Sequence, residues 1–365
     1  MRIESLELRD FRNYEVFRLE PGRALTVLVG PNAVGKTNII EALQLVTSTQ
    51  SFRRPKWEDV VRWEANGARV SLFARRGSRR LDTTLDITTE GKRIYTVNGQ
   101  MKRKLSDVTG VLPSVVFTPN DLDMVKGPSE KRRSSIDDLG EQISATYGSL
   151  RRDYARVVRQ RNALLRGGVP GAHAAVWDEQ LVVLGSRLLS HRERLLARVM
   201  TSASAAYADL AGGEALTWEY RDRCGLTSDR EQGQLTQQQA AVALRGALES
   251  RGEDERRRLV TLVGPHRDDI VFYVGGREAR TYASQGQQRT VALAWKLAEV
   301  QVVHDVLRRR PVLLLDDVMS ELDAARRAAL SSLVTADTQT FITTTNLGYF
   351  STELLEGATI VELGR

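Results

Sequence analysis

Gly30-Pro31-Asn32-Ala33-Val34-Gly35-Lys36-Thr37 decides the fold of this chain. Ahead of it, residues 24–29 carry Leu25, Val27, Leu28 and Val29 in a short apolar run that reads as a buried strand. Behind it, Ile39, Ile40, Ala42, Leu43 and Val46 recur at helical spacing, which predicts a helix over 38–46. Strand, glycine-bearing turn and helix come in the order a phosphate-binding loop needs. Gly30 opens the turn, and Gly35 lets backbone N–H groups approach phosphate oxygens closely. Lys36 is placed to reach β- and γ-phosphates, and the Thr37 hydroxyl to hold Mg²⁺. Pro31, Asn32, Ala33 and Val34 complete the loop, and the helix N-terminus turns its dipole to the same anion. ATP with Mg²⁺ is the expected ligand.

The matching half of such a site stands near the other end, in Val312-Leu313-Leu314-Leu315-Asp316-Asp317. Apolar residues ending in two carboxylates read as a buried parallel strand with acids at its tip. Asp316 is the expected Mg²⁺ partner. Asp317 is placed to orient or deprotonate an attacking water. Because the two halves belong to one site, the chain ends must meet, and the middle must leave the nucleotide-binding body and return. Just upstream, Ser284-Gln285-Gly286-Gln287-Gln288-Arg289 precedes an apolar helix, so Ser284, Gly286 and Gln287 sit at a second phosphate-facing helix start. Ser320-Glu321-Leu322-Asp323 follows the acidic strand, and Thr340-Phe341-Ile342-Thr343-Thr344-Thr345 reads as a further strand.

Taken in order, these segments resemble the ATPase heads of the ABC superfamily, in the branch that holds the SMC proteins and the RecF family. Similarity to the RecF family in particular rests on Ser51-Phe52-Arg53, Val116-Phe117-Thr118-Pro119-Asn120-Asp121-Leu122 and Gly264-Pro265-His266-Arg267-Asp268-Asp269. The opening Leu6-Glu7-Leu8-Arg9-Asp10-Phe11-Arg12-Asn13-Tyr14 is similar too. The resemblance implies an α/β fold: an ABC-type P-loop ATPase head of mixed sheet and helices, with an antiparallel β subdomain and an inserted helical arm. It places the head in residues 1–118 and 260–365 and the arm in 119–259.

It also implies a mechanism. ATP would join two copies head to head, with Ser284 of one chain closing over the nucleotide at Lys36 of the other, and hydrolysis at Asp317 would release them. The role implied is in DNA replication, repair and recombination. The protein would recognise gapped DNA or single-strand/double-strand junctions and help load RecA, with RecO and RecR as partners. Several positions depart from the ABC pattern. Asp317 stands where ABC heads usually carry Glu, and its shorter reach implies slow turnover. Gln285 replaces a common Gly. Asn120 is the candidate in place of the usual Q-loop glutamine, and Thr344 or Thr345 in place of a histidine after the last strand.

The gap between the halves shows two helical patterns. Leu139, Ile143, Tyr147, Leu150, Tyr154, Val157 or Val158, and Leu164 form one, and Trp177, Leu181, Leu184, Leu188, Leu195 and Val199 the other. Gly167-Gly168-Val169-Pro170-Gly171 breaks them apart. An antiparallel hairpin of about 30 residues a side is expected, roughly 45 Å long at most. Leu216-Thr217-Trp218-Glu219-Tyr220 reads as a strand and residues 237–249 as a helix, with the polar run 253–258 leading back to the head at Leu259. Residues 3–8, 70–73, 82–88 and 92–97 alternate as antiparallel strands do, with turns at Glu90-Gly91 and Asn98-Gly99.

Composition bounds the remaining function classes. The 365 residues are 27% charged and 41% hydrophobic, with no apolar stretch of membrane-spanning length and no signal-peptide core. Cys224 is the sole cysteine, so neither an internal disulfide nor a Cys-x-x-Cys zinc hook can form, and a cytoplasmic location is expected. The net charge of +7 suits contact with nucleic-acid phosphates. Basic clusters lie at Arg75-Arg76 with Arg79-Arg80, Lys102-Arg103-Lys104, Lys131-Arg132-Arg133, Arg151-Arg152 and Arg308-Arg309-Arg310. An SMC-like chromosome organiser would need long coiled coils and a hinge, which are absent from the sequence. An ATPase subunit of a DNA nuclease would need a separate metal-nuclease partner, since the four histidines, at 173, 191, 266 and 304, are scattered.

Overall fold

In the computed structural model, residues 1–167, 171–226, 234–334 and 337–364 are described, without the side chains of Ser106 and residues 171–174. The chain divides into two units: Met1–Leu122 with Glu299–Arg365, and Asp123–Ala298. The return to the head, expected at 260, falls later in the packing. Residues 260–298 cluster with the second unit because the strand Asp269–Val274 pairs with Leu216–Arg221 across its whole length. Ser284, Gly286 and Gln287 therefore belong to the second unit.

The first unit holds two sheets. One is parallel, in the order Ala358–Glu362, Leu25–Val29, Thr340–Thr344, Val312–Asp316, Ser114–Phe117. Every residue of Val312–Asp316 and Thr340–Thr344 is buried, which explains why these strands read as unbroken runs and not as alternations. The strand that feeds the glycine loop thus lies beside the strand that follows the acids, one pairing away from the acids themselves. The other sheet is antiparallel, in the order Tyr14–Leu19, Arg2–Phe11, Gly67–Arg76, Arg79–Thr88, Arg93–Val97, Gln100–Lys102. Asn98 and Gly99 both have positive φ, 51° and 76°, as the two-residue turn between the last two strands requires.

The helix Lys36–Ser48 packs on strands of both sheets. Its Ile39, Ile40, Leu43 and Leu45 are fully buried in the one core that joins Leu8, Phe11, Val70 and Leu85 to Leu314 and Phe341. Gln339 ties the sheets further: its amide oxygen accepts from the Ile3 N–H at 2.7 Å and its amide nitrogen donates to the Ile3 carbonyl at 2.9 Å.

The second unit contains the helices Ser129–Ile143, Ala145–Arg166, Gly171–Leu210 and Gln237–Arg258. The expected hairpin differs in two ways. Its first side is interrupted at Ser144, whose extended backbone ends one helix and whose hydroxyl accepts from Tyr147 N to start the next. Its second side runs for 40 residues, about 60 Å at the helical rise. Gly168, Val169 and Pro170 of the expected break lie outside the described residues. The helix expected over 237–249 continues through the polar run to Arg258, because Glu255 is buried there and accepts from Arg161 Nη2 at 2.6 Å.

Candidate nucleotide site

Gly35 stands at the head of the helix Lys36–Ser48 with φ 112°, a conformation that side chains resist. A Cβ there would come within 2.7 Å of the Asn13 amide and the Tyr14 hydroxyl. The loop is thus pressed against the turn after Arg2–Phe11, and Asn13 Nδ2 donates to the Val34 carbonyl at 3.1 Å. Lys36 folds back to donate from Nζ to the carbonyls of Gly30 at 2.7 Å and Pro31 at 2.9 Å. Burial lowers the pKa of this ammonium, and the charges of Asp317 and Asp316 oppose that shift.

The two halves of the site meet directly. Thr37 Oγ1 donates to Asp316 Oδ1 at 2.9 Å, and Thr343 Oγ1 donates to the same oxygen at 2.9 Å. Burial raises the Asp316 carboxyl, while these two hydroxyls pull it down, and the net shift is upward. Asp317 adopts φ 52°, with its N–H held by Thr343 Oγ1 at 2.9 Å and its carbonyl accepting from Ser320 Oγ at 2.9 Å. Its backbone is fixed at both ends, yet its buried Oδ1 has no hydrogen-bond partner. Burial raises this carboxyl too, against the nearby Lys36 charge.

Asn32, Ala33, Gly35, Lys36, Thr37, Asn38, Arg53 and Asp317 line a cavity of about 310 Å³. The sequence assigns Arg53 no role at the site. Its position follows from Glu41, a fully buried carboxylate on the loop helix. Arg12 pairs with both Glu41 oxygens, Nη2 at 2.9 Å and Nε at 3.0 Å, and Ser51 Oγ donates to Oε1 at 2.7 Å. Arg53 Nη1 then bridges Glu41 Oε2 at 3.2 Å and Asn38 Oδ1 at 2.6 Å. A helix glutamate that draws two arginines from distant segments leaves no periodic signal in sequence, so only the Ser51-Phe52-Arg53 string hinted at it.

Asn120 is exposed at the start of the turn Pro119–Met124. The Thr344 hydroxyl is engaged with the Asn346 backbone and Thr345 is exposed, whereas it is Thr343 that touches both acids. In the second unit, Ser284 is exposed immediately before the helix Gln285–Leu307. Gln287 N donates to Ser284 Oγ at 3.2 Å, and Ser284 N donates to Gln287 Oε1 at 2.9 Å, a reciprocal cap. The Gly286 carbonyl accepts from Thr290 Oγ1 at 2.9 Å. Among the described residues no cluster of three or more His, Cys, Asp or Glu is placed to hold a metal, and no helix is long and apolar enough to cross a membrane.

The segment 264–269 builds the interior of the second unit. Arg192, 2% exposed, pairs with both Asp137 oxygens at 2.9 Å and donates to the Pro265 carbonyl at 2.6 Å. Burial would raise the Asp137 carboxyl, but Arg192 and Arg151 hold it below its ordinary value. Tyr220 donates to Asp268 at 2.9 Å, and Tyr154 meets His266 Nδ1 at 2.7 Å. His266 is thereby a structural hydrogen-bonder.

Known proteins resemble this chain in sequence and fold. The profile of the RecF/RecN/SMC N terminal domain matches residues 2–359. A DNA replication and repair protein RecF from Heliobacterium modesticaldum is 37% identical over 369 residues, covering 100% of this chain and 97% of its own. Its counterpart from Symbiobacterium thermophilum is 40% identical over 351 residues, covering 95% and 92%. A solved recombination mediator protein, RecF-ATP of the RecFOR pathway, superposes with a TM-score of 0.86 at 28% identity over 96% of this chain and 93% of that one. An SMC head bound to the C-winged helix domain of ScpA shares the fold, with a TM-score of 0.54 at 16% identity over 99% and 93%.

Proposed function

This chain belongs to the RecF family, and we propose that it acts as an ATP-dependent DNA-binding protein of recombinational repair whose nucleotide joins two copies head to head. One observation carries the reading. The hydroxyl of Thr37 and the carboxylate of Asp316, 279 positions apart, form one hydrogen-bonded pair beside a glycine loop that lines a cavity of about 310 Å³.

The residues present fit ATP with Mg²⁺. The loop lines an open cavity, Lys36 has an N–H to spare beyond its two carbonyl bonds, and the orphaned Asp317 Oδ1 lacks only a polar partner. Thr37 and Asp316 would hold the metal, which when bound neutralises charge on the β- and γ-phosphate oxygens. Lys36 binds and orients the γ-phosphate. Asp317, with its carboxyl raised by burial, is the stronger base for that shift and accepts a proton from the attacking water. Its short side chain makes turnover slow.

Ser284 supplies the contact to the nucleotide of the opposite copy. Its oxygen already accepts from Gln287 N, which leaves its own proton to donate outward. A ligand held across two copies favours the dimer by its differential affinity, and hydrolysis withdraws that advantage. On gapped DNA or strand junctions the dimer would aid RecA loading, with RecO- and RecR-type mediators as partners. The test is sedimentation with and without ATP, on gapped and on fully duplex DNA. ATP-dependent doubling of mass with preferential retention on gapped DNA is expected; a monomer at saturating ATP sinks the reading.

A further inference from the structure

The basic clusters of the sequence are not equivalent once folded. Arg132 is buried, gives two bonds to Asp269 at 2.8 and 2.9 Å, and caps the carbonyl of Gly127. Arg151 is shared among Asp137, Asp138 and Glu141. Those guanidiniums hold the second unit together. The hairpin of Gly67–Arg76 and Arg79–Thr88 is different. Arg75 faces Arg80 and Arg76 faces Arg79 in cross-strand register, and Arg2 of the neighbouring strand faces Arg75. Like charges directly opposite one another destabilise a sheet, so this rank is not explained by folding. Glu4 answers Arg75 at 3.2 Å, but the exposed Arg76, Arg79 and Arg80 have no carboxylate partner among the described residues. The same end of the sheet gathers more charge. Burial lowers the Met1 amine, and Arg76, Arg309 and Arg2 lower it further, so a residue from a remote cluster joins the group.

We propose that this hairpin end is a docking surface for the phosphate backbone of DNA. Arg76 and Arg79 stand opposite one another on strands about 4.8 Å apart, with Arg80 next along the hairpin, a spacing that lets their long side chains reach phosphates without reading bases. The inference rests on the DNA-binding reading and assigns it a place.

The test is the triple variant Arg76→Gln/Arg79→Gln/Arg80→Gln, titrated with gapped DNA across a salt series, with ATP-dependent dimerisation followed in parallel. Affinity should fall at least about tenfold, and the slope of log affinity against log salt should flatten by up to about 2.7, roughly 0.9 for each lost contact. Ser78→Asp, in the exposed turn itself, leaves the strands untouched and should weaken binding in the same direction. Wild-type protein that fails to bind DNA overturns the function proposed above. Wild-type binding that both variants reproduce in affinity and slope overturns this surface alone.

A second inference stands on separate geometry. Tyr207, in the last turn of the long helix Gly171–Leu210, donates to Glu214 Oε2 at 2.7 Å. Gln287 Nε2 donates to both Glu214 oxygens, at 2.9 and 3.1 Å. Glu214 thus fixes which way the Gln287 amide points, and only that orientation turns Oε1 to the Ser284 N–H. The geometry points to Glu214 as a positioning residue that couples the end of the long helix to Ser284. This rests on Ser284 serving the opposite copy.

Glu214→Ala should raise the protein concentration needed for ATP-dependent dimerisation by about tenfold, the cost of one charged hydrogen bond, while nucleotide affinity stays unchanged. Glu214→Gln keeps one acceptor oxygen, which at the Oε2 position both partners reach, and should restore dimerisation in part. Tyr207→Phe removes only the hydroxyl and should give a smaller loss. Normal dimerisation of Glu214→Ala and Tyr207→Phe overturns the coupling. If Ser284→Arg dimerises normally, the trans reading falls instead.

Discussion

Thr37 Oγ1 donates to Asp316 Oδ1 at 2.9 Å, so one hydrogen bond closes a site assembled from the two ends of the chain. Thr37→Val keeps the shape and removes the donor. It should lose about 1–3 kcal/mol of stability, because a buried carboxylate oxygen loses a partner. It should also weaken ATP binding far more with Mg²⁺ than in chelator. Calorimetric titration in both conditions checks this; equal affinities for variant and wild type in Mg²⁺ would remove Thr37 from the metal role.

Lys36→Met takes away the ammonium and leaves the apolar stem. Charged hydrogen bonds contribute about 1.5–3 kcal/mol, so ATP affinity should drop roughly tenfold to a hundredfold. Fluorescent-nucleotide titration gives the answer. An unchanged affinity would mean that Lys36 serves only the carbonyls of Gly30 and Pro31.

Asp317→Asn preserves volume and loses the base. Turnover should fall about a hundredfold or more, with ATP still bound and the dimer accumulating. Steady-state hydrolysis and sedimentation read the two effects separately, and normal turnover removes Asp317 from catalysis.

Ser284→Arg places a bulky cation at an exposed helix start. Nucleotide affinity should hold, since the loop lies in the other unit, while dimerisation with ATP should disappear. Light scattering at increasing protein concentration checks this, and a wild-type dimer would exclude a trans role for Ser284.

Two buried groups of the second unit should shape stability against pH in opposite senses. Burial raises Asp268 from 3.8 to about 7 and lowers His266 from 6.5 to about 4. Asp268 keeps in the folded chain a proton that the unfolded chain releases, so its contribution is lost as pH rises through about 7. His266 refuses in the folded chain a proton that the unfolded chain binds, so stability is lost as pH falls from 6.5 towards about 4. Asp268→Asn leaves the histidine effect, and its melting temperature should fall from about pH 7 to about pH 5. His266→Gln leaves the carboxyl effect, and its melting temperature should rise over the same interval. Parallel profiles for both variants would rule out these shifts.

The sequence by itself determined the glycine loop between its strand and helix, and the buried acidic strand, because local chemistry prescribes them. Strand Leu25–Val29, loop and helix follow from an apolar run, two glycines and helical spacing, all within a few residues. Asn98-Gly99 announced its turn for the same reason, since two adjacent positive φ angles favour those residues.

Only tertiary structure decided what depends on partners far along the chain. Arg53 reaches the cavity because Glu41 holds it, and Thr343, not Thr344 or Thr345, meets the acids because of strand register. The run 253–258 looked like a polar connection, yet it is helical because Glu255 finds Arg161 across 94 positions. Likewise Arg132 and Arg76 look alike as letters in basic clusters; one is buried on Asp269 and the other exposed at a hairpin end. Charge is written in the sequence, but whether a charge is spent inside the protein or left for a ligand depends on which carboxylate the fold brings to it.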